Sequence, residues 1–120
     1  LGVGNDLFST AASVQRILAP ATNAFDKYKE LLTRACQLEK DTLILIALGP
    51  TATILAYDLA KCGYQALDIG HVDVEYEWFQ MGATSKVPLK NKYVNESLQG
   101  RNIGELQDEE YISQIIDRIE

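Results

Sequence analysis

Between Asp68 and Trp78 the chain carries Asp68, Asp73, Glu75 and Glu77 together with His71, its only histidine. Those side chains supply two kinds of chemistry. Asp73 and Glu75 are hard oxygen ligands of the type a divalent cation takes. Two positions apart, they share a side on an extended segment and diverge on a helix. His71 beside carboxylates can act as a general base, and Asp68 stands where a strand-like run ends. A solvated helix start would explain the same acids, because Asp and Glu favour a first turn. Placement favours the chemical reading, since ligands of open parallel sheets bind just beyond the carboxyl ends of strands. Tyr76, Trp78 and Phe79 are expected in the core rather than as a stacking platform.

Two further segments have ligand-binding character. Leu48-Gly49-Pro50-Thr51-Ala52 joins an apolar run to a helix. Glycine lets a ligand come close to the backbone. The helix start that follows offers unpaired N–H groups and a positive dipole end, and Thr51 adds a hydroxyl. This is a phosphate cradle without the full dinucleotide fingerprint or the Walker lysine; an ordinary strand–helix turn fits the same residues. Gly4-Asn5-Asp6 is either a second ligand loop or a helix start capped by Asp6, and local chemistry favours the cap.

The elements that must position these residues alternate between helix and strand, the pattern of an α/β fold. Asp6 is expected to cap a short helix to about Ser13, and Val14–Ala19 reads as a strand stopped by Pro20. Asn23 can cap a helix to about Glu39, with Phe25, Tyr28, Leu32 and Ala35 at helical spacing. Thr42–Leu48 is apolar on both faces, as a central parallel strand is when helices cover both sides. A helix is expected over 52–61, closed by Gly63. Tyr64–Ile69 is the next strand, Asp73–Met81 the next helix, and Gly82 its end. Residues 83–106 lack periodicity and read as a long loop. The spacing of Tyr111, Ile115, Ile116 and Ile119 predicts a helix over 108–120, with a strand over 114–119 as the lesser reading. The expected architecture is a Rossmann-like three-layer α/β domain with a mostly parallel sheet, occupying residues 1–120 as a single domain.

The 120 residues suffice for one domain with a real core. A hydrophobic fraction of 47% and a charged fraction of 23% are ordinary for a globular protein. No apolar run reaches the length of a membrane span. The net charge of −6 argues against nucleic acid, whose backbone calls for a basic stripe. It leaves room for a phosphate-bearing ligand, because a divalent cation reconciles an acidic site with an anion. Cys36 and Cys62 fall in expected helices and read as buried thiols rather than a disulfide or metal site. The chain opens on Leu1, so it is expected to be a piece of a longer protein.

The string from Asp68 to Phe79, followed by Met81-Gly82-Ala83, resembles the GT-D glycosyltransferases, a family first catalogued as a domain of unknown function. Gly2-Val3-Gly4-Asn5-Asp6-Leu7-Phe8, Asn23-Ala24-Phe25, Leu48-Gly49-Pro50-Thr51-Ala52 and Lys92-Tyr93-Val94-Asn95-Glu96 also look like family motifs. The resemblance covers nearly the whole chain. It implies a Rossmann-like domain that moves a sugar from a nucleotide donor to a bacterial glycan, as in glucosyl transfer from UDP-glucose to the glycan of a serine-rich adhesin. It also implies a divalent metal (Mn or Mg) and an Asp-X-Glu motif, matched here by Asp73 and Glu75, with His71 as candidate base.

The family domain is longer, and its amino-terminal half opens on an Arg-Phe-Gly-Asp-Gly-Glu motif that this chain lacks. The chain therefore resembles the carboxyl-terminal half. It is expected to need the missing half, or to self-associate, and to show little transfer alone. The expected site is His71 and Asp68 for catalysis, Asn5, Asp6, Gly49, Pro50 and Thr51 for the donor, and Asp73 and Glu75 for the metal. The expected partners are a UDP-sugar donor and a glycan or glycoprotein acceptor, in the cytoplasm. A non-catalytic nucleotide-sugar-binding module and a structural half-domain are the alternatives.

Overall fold

A computed structural model describes residues 1–82 and 109–120. The chain forms two compact units. One comprises Ile17–Gly70 with Asp117–Glu120, the other Leu1–Arg16 with His71–Ile116. Strands β1 (Arg16–Leu18) and β4 (Ile115–Arg118) pair as one two-stranded sheet, and β2 (Leu43–Ile46) and β3 (Gln65–Asp68) as another. Both sheets are parallel, and the order of elements is that of a Rossmann-like α/β fold.

In the first unit, a short 3-10 helix (Ala24–Lys27) leads into α1 (Tyr28–Ala35), so the expected single helix from Asn23 is broken and ends early. Asn23 sits at φ 53° and makes no side-chain cap. β2 then runs into α2 (Pro50–Lys61) and β3, a β–α–β crossover. Leu43 pairs with Gln65 and Ile46 with Asp68, so the expected parallel neighbours are present. α2 presents Ala52, Leu55 and Leu59 at helical spacing, and α1 presents Leu31 and Ala35. With Ile46, Tyr64 and Ile119 they form one buried cluster. Tyr28 ties the two helices: its hydroxyl donates to the Asp58 carboxylate and lies 3.2 Å from the Ile54 carbonyl oxygen. Burial, then this bond and the Asp58 charge, push the Tyr28 phenol up to about 12. Leu43 and Leu67 stay exposed, so among the described residues β2 and β3 lack the double cover expected of a central parallel sheet.

In the second unit, residues 6–13 are a run of turns, held by bonds from the Ser9 N–H to the Asp6 carbonyl and from the Ala11 N–H to the Phe8 carbonyl. The expected short helix is therefore absent. Asp6 instead spends its carboxylate on Tyr76. α3 (Val72–Met81) follows the expected boundaries, and Gly82 at φ 66° closes it in the left-handed conformation that glycine tolerates. The carboxyl-terminal expectation is corrected: α4 (Glu109–Ser113) is short and β4 replaces the rest of the helix. Ile115 and Ile116 are β-branched, and pairing with β1 outweighs the helical spacing. The Arg16 N–H donates to the Gln114 carbonyl at 2.8 Å, and the Ile119 N–H to the Leu18 carbonyl at 2.8 Å. The expected loop over 83–106, with the Lys92–Glu96 motif, lies outside the described residues.

Leu59 is fully enclosed at 0% exposure in the α1–α2 cluster. Leu59→Ala should cost about 2–5 kcal/mol of unfolding free energy, read by urea denaturation. A loss below about 1 kcal/mol would show that this cluster does not hold the unit together.

Candidate functional site

The sequence-predicted residues divide between the two units. Gly49, Pro50, Thr51 and Asp68 belong to the first, and Asn5, Asp6, His71, Asp73 and Glu75 to the second.

In the first unit, parallel pairing places the carboxyl ends of β2 and β3 at one edge. Gly49 leaves β2 and caps α2 at φ 55° and ψ −143°, a region other residues enter only under strain. A Cβ built there would meet nothing within 4 Å, so the backbone faces open space. Pro50 occupies the first turn, where its missing N–H costs nothing. Thr51 is buried, and the first turn of α2 holds no acid. Asp68 ends β3 at the same edge. Thr53 donates its hydroxyl to one carboxylate oxygen at 2.9 Å, and the Gly70 N–H donates to the other at 3.1 Å. Asp68 thus holds the turn at Gly70, whose φ is 55°. Thr53 had no signal in the sequence beyond its place one turn into α2.

In the second unit, the glycine-rich segment 2–8 lies on one face of α3. Asn5 accepts from the Leu7 N–H at 3.0 Å, which fixes its amide orientation. Its Nδ2 then donates to Asp73 at 2.9 Å and to Glu77 at 3.0 Å. One turn on, the Tyr76 hydroxyl donates to Asp6, and Gln80 donates to the Tyr76 oxygen at 2.8 Å. Asp73, Tyr76, Glu77 and Gln80 follow the i, i+3, i+4, i+7 spacing of one helical face. The Tyr76 bond is the largest influence holding Asp6 below its ordinary 3.8; donating that bond raises Tyr76 above its ordinary 10.0. Asn5 and Asp6 are brought together with the acidic helix. Glu77, Tyr76 and Gln80 are the members that the sequence reading left out, although helical spacing from Asp73 reaches all three.

His71 caps α3 at φ −99° and its carbonyl accepts the Glu75 N–H at 2.9 Å. The ring is half-buried and takes no hydrogen bond among the described residues. Asp73 is buried, whereas Glu75 is exposed. Two positions on an α-helix turn the side-chain direction by about 200°, so these two carboxylates do not jointly face one ion in this arrangement. Among the described residues, no group of three or more His, Cys, Asp or Glu side chains could hold a metal. A shared Asp73–Glu75 ion therefore does not fit α3 as it stands. Phe79, expected in the core, is 84% exposed, because α3 buries only its Asp73–Val74 side.

The family model described as the glycosyltransferase GT-D fold matches residues 1–97. The chain is 48% identical over 115 residues to the probable glycosyl transferase Gly of Streptococcus gordonii, covering 96% of this chain and 17% of that protein. It is 47% identical over 118 residues to glycosyltransferase GlyD of Streptococcus pneumoniae serotype 4, covering 98% of this chain and 14% of that one. A solved structure of domain of unknown function 1792 superposes with a TM-score of 0.91 at 48% identity, over 99% of this chain and 43% of that chain. A glycosyltransferase of the same domain from Streptococcus sanguinis superposes at 0.88 with 45% identity, over 99% of this chain and 44% of that chain. The chain thus spans less than half of those structures and less than a fifth of those curated relatives.

The Asn5 amide is the neutral donor between two carboxylates. Asn5→Asp should destabilise the protein by about 1–3 kcal/mol at pH 7, read by denaturation at several pH values. Crowded carboxylates have raised folded-state pKa values, so the lost stability should return as pH falls through the carboxylate range and vanish again as it rises. A variant as stable as its parent at pH 7 would show that the Asn5 bridge contributes nothing.

Proposed function

The chain belongs to the GT-D glycosyltransferase fold family, and from that premise we propose that it is part of an enzyme that transfers a hexosyl group, glucosyl or a close relative, from a UDP-sugar to a bacterial glycan or glycoprotein. The observation that carries this reading is the Gly49 turn: an exposed glycine at a parallel strand end, facing open space, ahead of a helix whose first turn holds no acid. Such a turn suits a diphosphate, because the helix N-terminus supplies N–H donors and a positive field where the leaving group gathers charge. Gly49, Pro50 and Thr51 are the proposed donor contacts, with Asn5 and Asp6 as a second contact loop.

His71 is the proposed base. Its half-buried ring has no hydrogen-bond partner among the described residues, which leaves a nitrogen to take the proton of the acceptor hydroxyl. Asp68 is the second proposed catalytic residue: it is exposed at the end of β3, and Thr53 and Gly70 each donate to one of its oxygens, which leaves lone pairs for substrate. A divalent metal, Mn or Mg, is implied by the family resemblance and would neutralise charge on the diphosphate. Asp73 and Glu75 are the ligands that the resemblance gives it, but on α3 they diverge, Glu75 exposed and Asp73 bonded to Asn5, so no shared ion is proposed there. A cytoplasmic location is part of the same proposal, and the described residues contain no helix long and apolar enough to cross a membrane.

The second reading is a non-catalytic sugar-nucleotide-binding module, in which the Gly49 turn holds the diphosphate and no transfer follows.

UDP-glucose turnover on a glycan acceptor, assayed beside UDP binding, separates these readings. Gly49→Val puts a side chain where the donor backbone contact lies, and UDP-sugar binding should weaken by at least about tenfold, or 1.4 kcal/mol. Unchanged binding and turnover would remove the Gly49 turn from the site. Saturable UDP binding without turnover would establish the binding module instead.

A further inference from the structure

Helices α1 and α2 lie side by side, with Leu31, Ala35, Leu55 and Leu59 in one cluster. Each ends on a cysteine: Cys36 is the C-cap of α1 and Cys62 the C-cap of α2. Two bonds beyond the helix ends bracket that pair. The Tyr64 hydroxyl donates to the Leu38 carbonyl at 2.5 Å, and the Lys40 ammonium donates to the Cys62 carbonyl at 2.6 Å. Residues two and four after Cys36 are thereby fixed against Cys62 and the residue two after it. The two helix ends that carry the thiols are thereby held side by side. Burial raises the Cys36 pKa first, and a hydrogen bond from Cys62 and its charge add to it, while Lys40 opposes the shift. Both cysteines are free, but the expected burial fails for Cys62, which is exposed at the end of α2, while Cys36 is half-buried.

We propose that Cys36 and Cys62 are a reversible dithiol whose oxidation staples the carboxyl ends of α1 and α2. The oxidant is a small-molecule disulfide such as glutathione disulfide. The exposed Cys62 loses its proton and its thiolate attacks one glutathione sulfur, which breaks that disulfide and releases a first glutathione thiolate. Cys36 then loses its proton and attacks the Cys62 sulfur. The Cys36–Cys62 bond forms, the mixed disulfide breaks and the second glutathione leaves. The two protons end on the two glutathione thiolates, so two protein thiols are oxidised and one disulfide is reduced to two thiols. The division of labour follows from access: the exposed sulfur meets the oxidant, and the half-buried one resolves the intermediate.

The staple closes the segment from Cys36 to Cys62, which contains β2 and all of α2. It limits the unfolded chain and fixes one end of the helix whose other end carries Gly49–Thr51.

The test is to treat the full chain with glutathione disulfide and measure free thiols, intact mass and Tm. Both thiols of the pair should disappear with no glutathione retained, a non-reducing peptide map should join Cys36 to Cys62, and Tm should rise by about 5–15 °C, reversed by dithiothreitol. Cys36→Ala keeps a small apolar group at the half-buried position and removes the resolving thiol. It should retain one glutathione on Cys62 and show no such rise in Tm. A stable glutathione adduct on the unsubstituted protein, a disulfide between two chains, or thiols that survive treatment would each overturn the proposal.

Discussion

The parallel pairing of β2 with β3 is the constraint on which the first unit depends. Parallel neighbours cannot be joined by a tight turn, so the connection must cross back, and here α2 is that crossover. Once α2 packs Ala52, Leu55 and Leu59 against α1 and Ile46, its start is fixed beside the end of β2. The ends of both strands then share an edge, which sets Gly49 and the Asp68–Gly70 turn there together. No side chain in that turn has to be chemically unusual. The pairing supplies position, glycine supplies access, and the helix supplies polarity.

The second unit solves a different problem. α3 turns acids toward a glycine-rich segment, and that segment must satisfy them. Asn5 does so with one amide, whose nitrogen bonds Asp73 and Glu77 while its oxygen accepts from the Leu7 N–H. Tyr76 and Asp6 repeat the pairing a turn later. The acidic string is therefore in part a fastening for the loop. It exposes Glu75 on a different side, which divides the Asp73–Glu75 pair into one buried and one exposed carboxylate.

The α/β class, the parallel β2–β3 neighbours, the extent of α3 and the family were legible in the sequence because each rests on local signals: apolar runs, Gly82 as a helix end, and ordered motifs. What was missed depends on partners far along the chain. Asp6 reads as a helix cap until Tyr76, 70 residues on, takes its carboxylate. Ile115 and Ile116 read as helical until β1 is there to pair with β4. Glu77 looks like one more solvated acid until Asn5 is seen to bond it. Phe79 looks like core because aromatics usually are, yet the phase of α3 turns it outward.

The proposed diphosphate site is the edge beyond β2 and β3. Amide hydrogen exchange of the full-length protein, with and without UDP-glucose, tests it most directly. A ligand held there should slow exchange at the backbone from Gly49 to Thr51, excepting Pro50, and at Gly70. Protection confined to other segments, with those amides exchanging as before, would contradict it.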